Sequence, residues 1–358
     1  MTLVQESRIR TALGALVLVG AGALAGCGSD DAEAGSEMEA GGGATGAPER
    51  VRLALDWVPN ANHTGFFVAD EKGYFEDAGL DLEVMPYSQA PADTVVSAGK
   101  AECGVTSPSF LALAVGKGAD LKAVMGVVQK PLGALYVLAD SEYERPSDLE
   151  GKTYGGFGAA GDKELVTSLL QHDGADGNFK YVNLQTGTLE ALLSEKVDFV
   201  NAYLNVEPFV AEARGVELRA FPYTDAGIPE FPNVVIACNG EWLAENEETA
   251  KSFVAAASEG WQFVQDNPAD AAQVLVDSNP DSFATDEAKA VPTKGLELMA
   301  AEGYIAREGS APGCLSVSAL EAMADRYDEV GYFEAAGQAK PDMAAIATTD
   351  YLPEGCEE

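Results

Sequence analysis

The chain has 358 residues, with 58 Asp and Glu against 22 Lys and Arg, and a net charge of −36. No basic run offsets that field, so binding to nucleic acid or anionic lipid is excluded, and acidity by itself names no ligand. Two histidines and five cysteines, none at metal-ligand spacing, predict no metal and no cofactor.

At the N-terminus, Arg8 and Arg10 precede an apolar run from Ala12 to Ala25, and Cys27 follows Leu24-Ala25-Gly26. The run is too short to span a membrane comfortably and reads as a secretion signal. The small residues before Cys27 resemble the bacterial lipobox. That resemblance implies lipidation of Cys27 and removal of residues 1–26; a plain signal or an uncleaved anchor is the alternative. Residues 27–50 are rich in Gly, Ala and acid and lack any aliphatic run. Such a segment buries too little apolar surface to order itself and reads as a flexible tether. Anchor and tether together predict a protein at the outer face of the cytoplasmic membrane.

From residue 51 the pattern alternates strand and helix, which predicts an α/β fold. "VRLALDW" reads as a strand, "GFFVADEKGYFEDAG" as a helix closed by Gly79, and "LDLEVMPY" as the next strand. Two later segments share one plan. In "VVSAGKAECGVTSPSFLALAVGKGADLKAVMGV" and "LLSEKVDFVNAYLNVEPFVAEARGVELRAF", a helix end carries Lys100 or Lys196, then an acid, a short strand, a turn, and Pro108 or Pro208 opening a helix. We read two lobes of one design, residues 51–135 with 232–358 and residues 136–231, joined by crossings near 131–140 and 226–238. Repetition of βαβ units in any α/β protein is the plainer alternative.

Ligands of open α/β sheets bind beyond the carboxyl ends of strands, and pockets concentrate between lobes. That places the turn "DWVPNANHTG" in a cleft. Trp57 offers a flat face to a ring, and Asn62 and His63 offer hydrogen bonds to it. Asp56 is either a ligand contact or a partner of its own turn. Thr106 and Ser107 precede a helix, Gln129 ends a strand, and Gly156 and Gly158 lie in the Gly-rich turn "YGGFGAAGDKEL", where helix N–H groups suit an anion or a polar oxygen. Glu207 sits just before the helix opened by Pro208, as Ser107 does before Pro108. Cys314 and Cys356 sit in Gly/Pro-flanked segments and are expected to form a disulfide outside the membrane. Cys103 and Cys238 lie in apolar runs and read as buried small hydrophobes. No catalytic set emerges, since only His63 and His172 are present and no G-x-S-x-G elbow occurs.

"LDWVPNANHTGFFVADEKGYFEDAGLDLEV" resembles the opening of the periplasmic-type binding proteins for thiamine pyrimidine precursors. "SAGKAECGVTSPSFL", "DLEGKTYGGFG" and "EKVDFVNAYLNVEP" match the same family. The resemblance spans residues 50–350 and implies a pocket with a stacking aromatic and a carboxylate, which "AYLNVEP" supplies as Tyr203 and Glu207; the alternatives are a core aromatic for Tyr203 and a partner of the positive end of its helix for Glu207. It implies a two-lobed periplasmic-binding-protein-like fold of type II and a monomer that hands a small heteroaromatic ligand, an aminopyrimidine, to an ABC permease whose ATPase subunits are separate chains. Riboflavin binders share a similar opening, and the wider group takes aliphatic sulfonates, nitrate and taurine. The fungal synthase of the thiamine pyrimidine has the same fold and relies on a Lys and a nearby His. Those positions here hold Thr106 and Phe110, which argues against an enzyme.

Overall fold

The computed structural model describes residues 47–87, 90–184, 186–353 and 355–356. Cys27, the signal and nearly all of the tether lie outside the described residues. Among the described residues no helix is long and apolar enough to cross a membrane.

Among the described residues, ten strands form two five-stranded sheets: β1 (Glu49–Ala54), β2 (Leu80–Met85), β3 (Cys103–Thr106), β4 (Leu121–Val128), β5 (Gly133–Leu138), β6 (Thr153–Gly156), β7 (Lys180–Asn183), β8 (Phe199–Tyr203), β9 (Leu218–Pro222) and β10 (Val234–Asn239). The first sheet runs β2-β1-β3-β10-β4 and the second β7-β6-β8-β5-β9. These orders are the same once β6 to β9 are set against β1 to β4, and β5 against β10. In each sheet the strand arriving from the other lobe is antiparallel to its two neighbours. The turn after β1, bearing Trp57, and the Gly-rich turn after β6 therefore occupy equivalent places.

The links between the sheets are shorter and earlier than the sequence predicts. They comprise residues 129–132, between β4 and β5, and 223–233, between β9 and β10. The segments read as crossings contain β5 and β10 themselves. Their apolar runs are hydrogen-bonded on both edges and buried on both faces, as interior strands require. The first boundary thus falls before residue 133 instead of at 135.

The C-terminal portion also departs from its expected place wholly in the first lobe. Leu320, Met323, Tyr327, Tyr332 and Phe333, in and after the helix Val317–Glu329, belong to one apolar cluster with Ala123 and Val235 of the first sheet and Leu135, Tyr154 and Phe199 of the second. This segment packs against both lobes.

The single helix expected before Gly79 is two, Thr64–Glu71 and Tyr74–Asp77, broken where Gly73 takes φ 78°. The first crosses the helix Glu247–Asp266 at close range. A Cβ on Gly260 would lie 2.1 Å from the Gly65 carbonyl oxygen, and one on Gly65 would lie 2.5 Å from the Trp261 ring, itself fully buried. Gly65 therefore serves helix packing, not access to a ligand. Cys103 and Cys238, opposite one another on β3 and β10, are joined by a disulfide, which corrects their reading as free buried thiols. Adjacent antiparallel strands bring the two sulfurs together, a pairing that strand-like runs 135 residues apart do not reveal. A second disulfide joins Cys314 to Cys356.

Gly260→Ala has no space for its methyl group because the obstacle is backbone. We expect it to lower stability by about 3 kcal/mol in urea unfolding, the upper part of the usual range for overpacking. Unchanged stability would mean that the two helices part freely.

Candidate functional site

The turn after β1 is built from its own side chains. The Asn60 side chain accepts from the Asn62 N–H at 2.9 Å and donates to the Val58 carbonyl at 3.0 Å, so Asn60 starts the short 3-10 turn Ala61–His63. The Asn60 N–H donates to His63 Nδ1 at 3.2 Å. That leaves Nε2 as the protonated nitrogen, and it donates to Asp56 Oδ1 at 2.8 Å. His63 is fully buried and both ring nitrogens are engaged. It holds Asp56 in place and has no nitrogen to offer a ligand, which corrects the sequence expectation.

Asn62 is also buried, and its Oδ1 accepts from Asn205 Nδ2 at 2.7 Å. Asn205 follows β8, so this hydrogen bond ties the two lobes together. A buried amide pair of this kind contributes about 1 kcal/mol net. Trp57 remains 38% exposed. Its ring lies 5.5 Å from Tyr87 and 6.4 Å, edge to face, from Phe157. Phe157 belongs to the Gly-rich turn of the second lobe, so the equivalent turns of the two sheets meet ring to ring.

Opposite these, the Tyr203 N–H donates to Glu207 Oε2 at 2.9 Å. Glu207 is the first residue of the helix Glu207–Ala213, and its carboxylate turns back onto the end of β8. Burial raises the pKa of Glu207, and burial with the charges of Asp56 and Glu207 raises that of Tyr203. Tyr203 also packs against the apolar core of the first lobe.

The remaining candidates divide. Thr106 is buried and its hydroxyl donates to Asp93 Oδ2 at 2.9 Å. Ser107 caps the helix Pro108–Gly116 by accepting from the Phe110 N–H at 3.3 Å. Gln129 is bound into the backbone: its Nε2 donates to the carbonyls of Gly126 and Cys314, both at 2.9 Å, and so braces the start of the first link. Gly158 takes φ 85° in the Gly-rich turn. A Cβ on Gly156 would lie 2.5 Å from Asp162 Oδ2, so that turn carries a carboxylate at its end, a poor setting for the anion the sequence suggests.

Four residues escaped sequence reasoning. Phe157 and Asp162 lie inside the Gly-rich turn, whose glycines and helix N–H groups carry the stronger sequence signal. Asp93, after Pro91, looks like an ordinary acidic residue in a first helical turn. Tyr332 comes from a segment far along the chain. It is buried, 4.9 Å ring to ring from Tyr327, and a Cβ on Gly161 would lie 2.2 Å from it. Burial pushes its hydroxyl up to about 12, against a hydrogen bond to Ser109. A groove of about 580 Å³ also opens between the helices Asp162–His172 and Val317–Glu329, beside Lys163, His172 and Arg326. None of the sequence-predicted ligand residues lines it.

Two sheets of one strand order, joined by two links and meeting at their strand-end turns, define the two-lobed α/β fold of periplasmic-type binding proteins. Solved structures of that class superpose on the chain. A ligand binding component of an ABC-type import system from Staphylococcus aureus gives a TM-score of 0.67 at 12% identity, covering 87% of this chain and 100% of that one. The alkanesulfonate-binding protein from Xanthomonas axonopodis pv. citri, bound to MOPS, gives 0.64 at 13%, covering 85% and 99%. At such identities the likeness is one of fold. The chain belongs to the NMT1/THI5 like family, which matches residues 60–271. It is 30% identical over 236 residues to the formylaminopyrimidine-binding protein of Halalkalibacterium halodurans, covering 64% of this chain and 71% of that one. It is 25% identical over 252 residues to a 4-amino-5-hydroxymethyl-2-methylpyrimidine phosphate synthase of Saccharomyces cerevisiae, covering 65% and 72%.

Burial raises the pKa of Asp93 to about 6, with the Thr106 hydrogen bond opposing and the Asp56 charge adding. A carboxyl group raised on folding contributes stability at low pH and loses it as pH rises through 6. Asp93→Asn is therefore expected to stabilise the unliganded protein at neutral pH, by up to about 3 kcal/mol for a shift of two units. The gain should shrink as pH falls toward about 4, and thermal melts across that range check it.

Proposed function

We propose that the chain is the solute-binding component of an ABC importer, and that it captures an aminopyrimidine of the thiamine-precursor kind. In this reading the protein is anchored through lipidated Cys27 at the outer face of the cytoplasmic membrane and acts as a monomer, with permease and ATPase on separate chains. The observation that carries the ligand class is the meeting of Trp57, Tyr87 and Phe157 at the strand-end turns of both lobes. Flat rings from two lobes suit a flat solute, and an alkyl sulfonate or nitrate makes little use of them. Glu207 supplies a carboxylate for the exocyclic amine and a protonated ring nitrogen. The relative named for formylaminopyrimidine supports the same choice.

A binder, not a synthase, is the reading that the chemistry favours. The resemblance puts a cofactor-bearing Lys and a His at positions held here by Thr106, whose hydroxyl is given to Asp93, and Phe110, which is solvent-exposed. Neither side chain forms a Schiff base or carries a proton. Binding would proceed by closure about residues 129–132 and 223–233, with contacts unique to the closed form driving the shift.

Calorimetric titration of the full chain with formylaminopyrimidine and with MOPS tests this reading. One equivalent of the pyrimidine is expected to bind without turnover, and MOPS is expected to give no heat. Trp57→Ala should weaken the pyrimidine about tenfold, the sum of a lost ring pair and lost burial. Glu207→Gln should weaken it about tenfold as well, while leaving a ring that lacks the amine unaffected. Tight binding of MOPS with no binding of the pyrimidine would overturn the proposal.

A further inference from the structure

Two buried carboxylates at the strand ends are met only by hydroxyl groups. Asp93 lies in the helix Ala92–Ser97 that follows β2, and Asp162 opens the helix Asp162–His172 that follows β6. They are 7% and 6% exposed. Asp93 Oδ2 accepts from Thr106, and Asp162 Oδ1 accepts from the Tyr154 hydroxyl at 2.8 Å. Asp93 Oδ1 is buried and has no hydrogen-bond partner, and Asp162 Oδ2 is buried with only the Tyr181 hydroxyl beside it. Each held oxygen is therefore met by a neutral hydroxyl, which does not balance a charge.

A buried carboxylate lacking a cation or a full set of donors costs stability, and Asn in the same place would relieve most of that cost. Such a group calls for a partner that the unliganded chain does not contain. Both carboxylates sit where the cleft is made. Asp93 lies in the field of Asp56, beside Trp57. Asp162 ends the turn that carries Phe157, and its charge reaches Tyr332 and Tyr223. The ammonium of Lys163, on the same helix, lies over the Tyr181 ring at 4.5 Å.

We propose that Asp93 and Asp162 read the solute, one from each lobe, and that they select a solute bearing amines or positive charge over sulfonates, nitrate and other anions. The inference rests on the proposed binding of a ring between the lobes and adds what surrounds that ring. An anion would face two buried negative groups, whereas an amine supplies the donors that both lack.

The pH behaviour follows from the surroundings. Thr106 and Asp56 face Asp93. Tyr154 and Tyr181 from the sheet, Lys163 and Glu164 from its own helix, Tyr223 from the second link and Tyr332 from the C-terminal segment surround Asp162. Burial leads in both cases and raises both to about 6. Affinity for a solute of fixed positive charge should then fall as pH drops through 6, because the carboxyl groups become neutral.

The test uses the full chain, Asp93→Asn and Asp162→Asn, with 4-amino-5-aminomethyl-2-methylpyrimidine as the cationic probe and ethanesulfonate as the anionic one. Each variant is expected to bind the cationic probe about tenfold more weakly at neutral pH and to lose part of the decline toward about pH 5. Each is also expected to melt at a higher temperature without ligand, a combination of greater stability and weaker binding that a purely structural carboxylate does not produce. If either variant binds the probe as the parent does, with the parent's pH profile, the inference is overturned while the proposed function stands. If the parent binds neither this probe nor formylaminopyrimidine, the proposed function fails and the inference fails with it. Binding of ethanesulfonate by the parent as tightly as the amine would overturn the inference alone.

Discussion

Everything in this protein follows from two sheets wound in one strand order and joined so that their strand-end turns meet. Parallel strands with helical crossovers put all their connecting turns at the same edge of a sheet. The turn after β1 then meets the turn after β6, and the ends of β3 and β8 stand beside them. Trp57 meets Phe157, and Asn62 meets Asn205, because topology brought those turns together; no local signal pairs residues 100 or more positions apart.

Within that frame, the polar groups divide by what they can reach. His63 and Asp56 satisfy each other, and Asn60 satisfies the turn. Gln129 Nε2 donates to the carbonyls of Gly126 and Cys314 beside the first link. Ser107 caps a helix, and Glu207 turns back to its own strand. Satisfied groups of this sort give the cleft a fixed shape. Asp93 and Asp162 differ in being buried carboxylates whose partners are hydroxyls, which do not balance a charge.

The C-terminal segment changes the mechanical picture. Were the lobes joined by two links alone, they would swing freely. Tyr327, Tyr332 and Phe333 lie in one apolar cluster with residues of both sheets, and Tyr332 presses on the Gly-rich turn at Gly161. Relative motion of the lobes must therefore carry or shear this packing, and dense packing resists continuous deformation.

Much of the fold was legible in the sequence because it depends on local periodicity. Strand-like runs, a helix opened at Pro108, and the repeated Lys-x-acid units led to two α/β lobes. Trp57 was legible as a strand-end aromatic in a polar turn. The same logic misplaced the links, since β5 and β10 read as apolar strands running into turns and nothing local says which sheet an apolar strand joins. It missed the Cys103–Cys238 disulfide for the same reason, because strand adjacency is a long-range property.

The sequence by itself determined the class of elements, their order, and the residue types available at each strand end, because propensity and hydrophobic period act over a few residues. Only the tertiary structure decided which of those residues are already engaged. His63 looked free and is engaged, while Asp93 looked like an ordinary first-turn acid and is buried with one oxygen unpaired. The reason is physical: a side chain's chemistry is local, while its desolvation and its hydrogen-bond partners depend on chain segments that only folding brings near.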